Sequence, residues 1–256
     1  FQDGETSSFV LKVATPGDGS KDFGLAREGL FYKNWRSLTP ANGAQCTLGD
    51  LLPRVLYAEG DMETGSKVVL MEDLSLCVQS GFFFGAGNPN NWGKDLEKEV
   101  RSFSLTATKV TTLAFSAAAK LHARYWNCNA GLEWLRSAQW LRGKDVASWQ
   151  ASQTRIVTAW TTVKAGMMDS EVQWDPFLVE CVDASLGRID WDTFQAELQA
   201  RPFTLVHGDF HPANFMVRPD HSLVLVDWEV VGIGSGPQEL GQYALSHLEP
   251  ALRASI

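Results

Sequence analysis

A chain of 256 residues that is 45% hydrophobic and contains ten tryptophans can bury a large core, which excludes a disordered segment and leaves one two-lobed domain or two small domains. The formal net charge is −8 with no run of Lys or Arg, which argues against nucleic acid or an anionic membrane as the main partner and suits cationic or neutral substrates. No apolar run approaches the roughly 20 residues of a membrane span, no signal peptide opens the chain, and no internal repeat is apparent. The first residue is Phe1 rather than Met, so a targeting segment ahead of it is not excluded. Cys46, Cys77, Cys128 and Cys181 show neither a CxxC pair nor zinc-like spacing and read as buried free thiols, which favours a reducing, cytoplasmic compartment.

In chain order, a polar, turn-like DGETSS precedes Phe9-Val10-Leu11-Lys12-Val13, a short β-rich run with a lysine inside it. A helical segment is expected from Phe23 to Trp35, with Leu25, Leu30 and Phe31 facing inward and Glu28 on it. Arg54 to Tyr57 and Lys67 to Met71 are the next strands. From Ser75 to Gly93 the chain is rich in Gly, Asn and aromatics, which predicts a long loop, either a packed surface loop or a lid or insertion facing substrate.

Val110, Leu113, Ala114, Ala117, Ala118, Leu121 and Tyr125 recur at helical spacing and predict one apolar stripe on a helix ending near Trp126. Residues 132 to 200 read as helical and Trp-rich, with Asp190 a candidate N-cap and Arg201-Pro202 a stop. Asp183, Asp190 and Asp192, beside Trp174 and Trp191, read first as solvated helix faces with buried indoles. A cationic acceptor held by carboxylate and cation–π contacts is the alternative.

The chemistry is concentrated between Phe203 and Val231. Phe215–Val217 and Leu223–Val226 flank Arg218-Pro219-Asp220-His221-Ser222, so this stretch predicts a β-hairpin. Antiparallel pairing sets the start of one strand beside the end of the other, which brings together Asn214 and Asp227, oxygen ligands of the kind Mg²⁺ takes. Asp209 lies one loop upstream. An Asp that orients or deprotonates an alcohol, with an Asn and an Asp that hold metal, are the parts needed for phosphoryl transfer from ATP. A His207–His211 metal pair is weaker, because the intervening Gly and Pro break any helix that would align them. Gly232, Gly234 and Gly236 lack the order of a dinucleotide fingerprint and read as tight turns, and Pro237 suits the first turn of a helix toward Leu248.

HGDFHPAN followed by LVLVDWE resembles the catalytic and metal-binding segments of the aminoglycoside phosphotransferase and choline kinase-like family, relatives of the protein kinases. The resemblance implies that Asp209 is the catalytic base, that Asn214 and Asp227 hold metal, and that His207 organises the loop. It also implies that Lys12 contacts the nucleotide phosphates with Glu28 as its support. Backbone groups near Glu72 to Leu74 would hydrogen-bond adenine. The LHARYW segment resembles the central helix of the larger lobe, which makes His122 structural. LHARYW and MEDL together lean toward the choline kinase-like and ecdysteroid kinase-like (CHK kinase-like) branch.

The expected fold is α+β and protein-kinase-like, with residues 1–75 a partial N-terminal nucleotide-binding lobe and 76–256 a mainly helical catalytic lobe. Against the family pattern, the chain begins too late to hold the two strands ahead of the lysine strand and stops soon after Pro250. The expected activity is ATP- and Mg²⁺-dependent transfer of a phosphate to a small-molecule alcohol, with neither nucleic acid nor membrane as partner. The alternatives are an inactive nucleotide-binding pseudokinase or protein-interaction module, and a metal-dependent phosphohydrolase that needs no lysine. Neither the acceptor nor the oligomeric state is legible.

Overall fold

The computed structural model describes residues 8–38, 48–91, 96–127, 135, 146–171, 173–188, 190–200 and 202–255. Cys46, Cys128, the residues of DGETSS before Ser8, the 92–93 end of the aromatic loop, and 132–134 and 136–145 of the Trp-rich stretch lie outside them. Two compact units emerge, one from residues 1–140 with 202–256 and one from 141–201.

The first unit opens on an antiparallel sheet in the order β1–β3–β2, formed by β1 (Phe9–Ala14), β2 (Val55–Asp61) and β3 (Ser66–Glu72). Lys12 stands opposite Val69, and Ala14 opposite Lys67. Alternation along β3 therefore turns Lys67 to the same side as Val69 and Met71, all three buried. Between β1 and β2 the helix expected from Phe23 to Trp35 is α2 (Ala26–Asn34), and a short α1 (Asp18–Phe23) that was not expected precedes it, ended by Gly24 in a left-handed conformation. The inward face of α2 is more polar than its sequence suggested: Arg27 and Glu28 are buried with Ala26, Phe31 and Tyr32. Gly29 and Gly60 make this possible, because a Cβ on either would collide with the backbone of the other element. Helix and strand thus meet backbone to backbone, and Glu28 is carried in over the sheet.

The segment after β3 is a brace. β4 (Val78–Gln79) pairs with β6 (Phe215–Val217), and short 3₁₀ turns follow at Ser80–Phe84 and Pro89–Asn91. Gln79 Nε2 donates to Ala213 O at 2.9 Å and Ser80 Oγ to Pro212 O at 2.8 Å, so the segment supports the 207–214 loop. Asn88 and Asn91 satisfy carbonyls of His247, Gly81 and Gly85. The expected long loop is thus ordered by side-chain amides, which composition alone does not reveal.

After α3 (Leu96–Val100) comes α4 (Ala107–Arg124), capped by Thr106 and burying Val110, Ala114, Ala117, Ala118 and Leu121. β5 (Thr204–Val206) leads into the 207–214 loop, and β6 with β7 (Leu223–Leu225) forms the predicted hairpin. β5 pairs with β8 (Gly232–Gly234), so of the three glycines expected to mark turns Gly232 and Gly234 lie in a strand and Gly236 opens the next helix. α8 (Gly236–His247) starts with Pro237 in its first turn, as expected, and α9 (Pro250–Ser255) follows. Phe31, Phe210, Phe215, Leu225, Trp228 and Tyr243 make up much of the core.

The second unit holds α5 (Val146–Gly166), α6 (Pro176–Leu186) and α7 (Trp191–Ala200). Asp190 caps α7 through Thr193 N at 2.8 Å, as predicted. Asp183 is bonded to Lys164 Nζ at 2.6 Å and Trp160 Nε1 at 2.8 Å. Cys77 is half-buried and Cys181 exposed, so the expectation of buried thiols fails at Cys181, which lies on a largely exposed helix. Among the described residues no helix is long and apolar enough to cross a membrane.

Candidate active site

The 207–214 loop is held from three sides. Gly208 has a φ of 86° and approaches the Val230 carbonyl so closely that no side chain fits. Its N–H donates to Glu239 Oε1 at 2.7 Å, and Glu239 pairs through Oε2 with His122 Nε2 at 2.8 Å. His122 is therefore structural, as its place in LHARYW implied. His207 is fully buried and donates from Nε2 to Val226 O at 2.9 Å, while its Nδ1 accepts the Asp209 N–H at 3.2 Å. Both ring nitrogens are occupied in the neutral form, and burial lowers the imidazole further below its ordinary pKa. The neutral ring thus orders the loop, its single proton committed to Val226 O.

Asp209 is half-buried. Its Oδ2 receives Asn214 Nδ2 at 3.0 Å and His211 Nε2 at 3.2 Å. His211 Nδ1 accepts the Ala213 N–H at 3.3 Å, which fixes the tautomer that donates from Nε2. The hydrogen bond from His211, followed by that from Asn214, holds the carboxyl down at about 2, against burial. Asn214 spends its NH₂ group on Asp209, bonding the backbone carbonyl as well at 2.9 Å. That leaves Oδ1, the atom a cation takes. The register of the hairpin brings this residue level with the far strand's end, where Val226 N bonds Asn214 O at 3.0 Å.

Asp227 follows with a φ of 67°, a left-handed conformation that Asp tolerates better than most residues. It heads a 3₁₀ turn, Trp228–Val230, without capping it, so its carboxylate stays available. Lys12 Nζ meets Asp227 Oδ1 at 2.9 Å and Glu28 Oε2 at 2.8 Å. Burial alone would lower the Lys12 ammonium, but the charge and hydrogen bond of Glu28, then those of Asp227, raise it above its ordinary value. Lys67, buried on the neighbouring strand, bonds Glu28 Oε2 at 2.6 Å and also Glu229 Oε1. Oxygens of Glu28, Asp227 and Glu229 lie within 4.8 Å of one another. Two ammonium groups interleave these three carboxylates, which leaves one negative charge for a cation to neutralise.

Five of the seven residues singled out from the sequence thus fall into two clusters, Lys12–Glu28–Asp227 and Asp209–Asn214, joined by the hairpin. Glu72 and Leu74 stand apart from both. The Glu72 carboxylate binds Arg218 Nη2 at 2.5 Å and Arg54 N at 2.8 Å, fastening β3 to the hairpin turn. The Glu72 N–H bonds Arg54 O, and the Leu74 carbonyl accepts from Cys77 N. Missed were Lys67, Glu229 and Gln242, whose Nε2 reaches Asp209 Oδ1 at 2.7 Å. Lys67 was findable, since alternation in SKVVLME places it with Val69 and Met71. Gln242 carried no such signal, being one polar residue on a helix.

The braced loop thus carries an Asp and an Asn, and a Lys–Glu pair joins the adjoining sheet to the helix packed on it. The family model described as "Phosphotransferase enzyme family" matches residues 106–244, more than half of the chain, and the chain belongs to that family. Its mixture of helices and antiparallel sheets is of the expected α+β class. Similar solved structures include choline kinase LicA from Streptococcus pneumoniae, at 14% identity, with 97% of this chain and 66% of that one covered and a TM-score of 0.47. A choline/ethanolamine kinase family protein from Mesorhizobium loti matches at 14% identity, with 97% and 62% covered and a TM-score of 0.44. An aminoglycoside-3'-phosphotransferase of type VIII matches at 18% identity, with 96% and 74% covered and a TM-score of 0.44. The chain thus spans slightly less than two thirds of the length of the two choline kinase relatives. No curated protein sequence matches it.

Proposed function

We propose that this chain transfers the γ-phosphate of ATP to a hydroxyl of a small-molecule acceptor. The observation that carries the reading is the pairing of Lys12 with both Glu28 and Asp227, next to a loop in which Asn214 is bonded to Asp209. A structural ion pair needs no unused amide oxygen beside it and no half-exposed carboxylate; a phosphotransferase needs both.

Residues 1–75 are assigned the nucleotide and residues 76–256 the chemistry. Lys12, steadied by Glu28, exchanges its contact with Asp227 for the phosphates. Backbone groups near Glu72 to Leu74, other than the Glu72 N–H and the Leu74 carbonyl that are already bonded, would hydrogen-bond the adenine. The donor set of Asn214 Oδ1 and the Asp227 carboxylate fits a hard, oxygen-seeking cation, so these two residues would hold Mg²⁺, which neutralises phosphate charge when bound. Asp209, ionised throughout the neutral range, accepts a hydrogen bond from the acceptor hydroxyl and directs its oxygen at the γ-phosphorus. The oxygen–phosphorus bond forms as the β,γ-bridging bond breaks, ADP leaves, and the hydroxyl proton passes to Asp209. The net charge of −8 favours a cationic or neutral acceptor.

A panel of hydroxylated amines, sugars and steroid-like alcohols, assayed for acceptor-dependent ADP formation from Mg²⁺·ATP, tests this reading. Formation with at least one acceptor is expected. ATP binding without turnover on any acceptor, or in water, would instead point to a pseudokinase.

A further inference from the structure

Gln242 lies three residues beyond Glu239 on α8 and so on the same helix face, the one that already holds Gly208. Its Nε2 donates to Asp209 Oδ1 at 2.7 Å. A carboxylate only accepts, so the NH₂ end of the amide faces it. Ionised carboxylates offer about four acceptor sites, two on each oxygen. Among the described residues, Oδ2 has both filled, by Asn214 and His211, and Oδ1 has one filled, by Gln242. The site that remains is on Oδ1, beside the Gln242 amide, on a side chain that is 42% exposed.

We propose that Gln242 is a positioning residue for phosphoryl transfer: it fixes the Asp209 carboxylate so that the acceptor hydroxyl bonds at Oδ1, with α8 as a wall of the acceptor pocket. This rests on the reading of Asp209 as the group that takes the hydroxyl proton. Asn214 and His211 pin only Oδ2, about which the carboxylate can pivot. The contact from Gln242 removes that freedom and gives Oδ1 a direction. Displacing a reacting group by about 1 Å costs on the order of 100-fold in rate, so a hydrogen bond that sets such a direction has a kinetic value out of proportion to its strength.

The test uses Mg²⁺·ATP with water as acceptor, read as phosphate release, on the parent, Gln242→Ala, Gln242→Glu, Asp209→Ala and the Asp209→Ala/Gln242→Ala double variant. Gln242→Ala is expected to lower kcat by about 10- to 100-fold while the KM for ATP and the Tm stay near parent values. Gln242→Glu, equal in size but unable to donate, lowers kcat further. On the Asp209→Ala background, removing Gln242 has no further effect, because the two act as a unit. A Gln242→Ala rate within about threefold of an active parent overturns the inference and leaves the proposed function standing. So does an equal loss in the Ala and Glu variants accompanied by a lower Tm, or a full second loss in the double variant. A parent that neither binds nor hydrolyses ATP overturns the phosphotransferase reading and this inference with it.

Discussion

Lys12 Nζ lies 2.9 Å from Asp227 Oδ1, although 215 positions separate the two residues in the chain. One is in the first strand and the other directly after the hairpin, so their pairing closes the site across nearly the whole sequence. The Lys12 side chain is 28% exposed, and Glu28 keeps Lys67 as a second partner. Lys12→Met is therefore expected to raise the KM for ATP by at least about tenfold and lower kcat, with little change in Tm. Titration of ATP in a steady-state assay, beside a thermal melt, checks both parts. A phosphohydrolase built on Asp209, Asn214 and Asp227 would be far less affected.

Glu28 behaves differently because it is fully buried and bonded to two ammonium groups. Breaking a buried ion pair by removing one partner costs about 3–5 kcal/mol. Glu28→Ala leaves Lys67 buried with Glu229 alone, so stability is expected to fall by an amount in this range. Urea denaturation of parent and variant reads the difference directly, and a change below about 1 kcal/mol would mean that the cluster carries little of the fold.

Much of this site was legible in the sequence alone, for reasons that differ by residue. Asn214 and Asp227 follow from the hairpin, because antiparallel register converts a separation in sequence into adjacency. Lys12 stood out as a charge inside an apolar strand. Glu28 was placed beside Lys12 by the resemblance alone, and its burial depends on Gly29 and Gly60 letting helix and strand meet, a fact of packing that no periodicity encodes. The brace at 78–91 was unreadable because its order comes from Gln79, Ser80 and Asn88 satisfying carbonyls distant in sequence, with Asn91 closing the segment on itself. Glycines 232 and 234 looked like turns because nothing local shows that β5 lies alongside them.

Acid should destabilise the protein through His247. Its ring is buried, stacks on His211, and has Nε2 without a hydrogen-bond partner among the described residues. Burial pushes the imidazole down to about 4. In the unfolded chain the same group titrates near ~6.5. Below that pH the unfolded state binds the extra proton, so the contribution is complete above about 6.5 and is lost as pH falls toward 4. The slope is at most about 1.4 kcal/mol per pH unit for one such group. Thermal melts between pH 7 and 4 should show a falling Tm, and His247→Gln should flatten that fall.

Asn214→Ala and Asp227→Ala are expected to weaken nucleotide binding only when Mg²⁺ is present. Calorimetric titration with ATP, with and without the metal, gives the comparison. Equal weakening under both conditions would assign these residues to the fold and not to a cation.

The central claim is that Asp209 acts on the acceptor and not on the nucleotide. Turnover of Mg²⁺·ATP by Asp209→Ala, measured beside the parent with nucleotide affinity determined on the same samples, tests it most directly. Loss of turnover by about two to four orders of magnitude with affinity held within about twofold is the predicted result. Turnover persisting near the parent rate would contradict it.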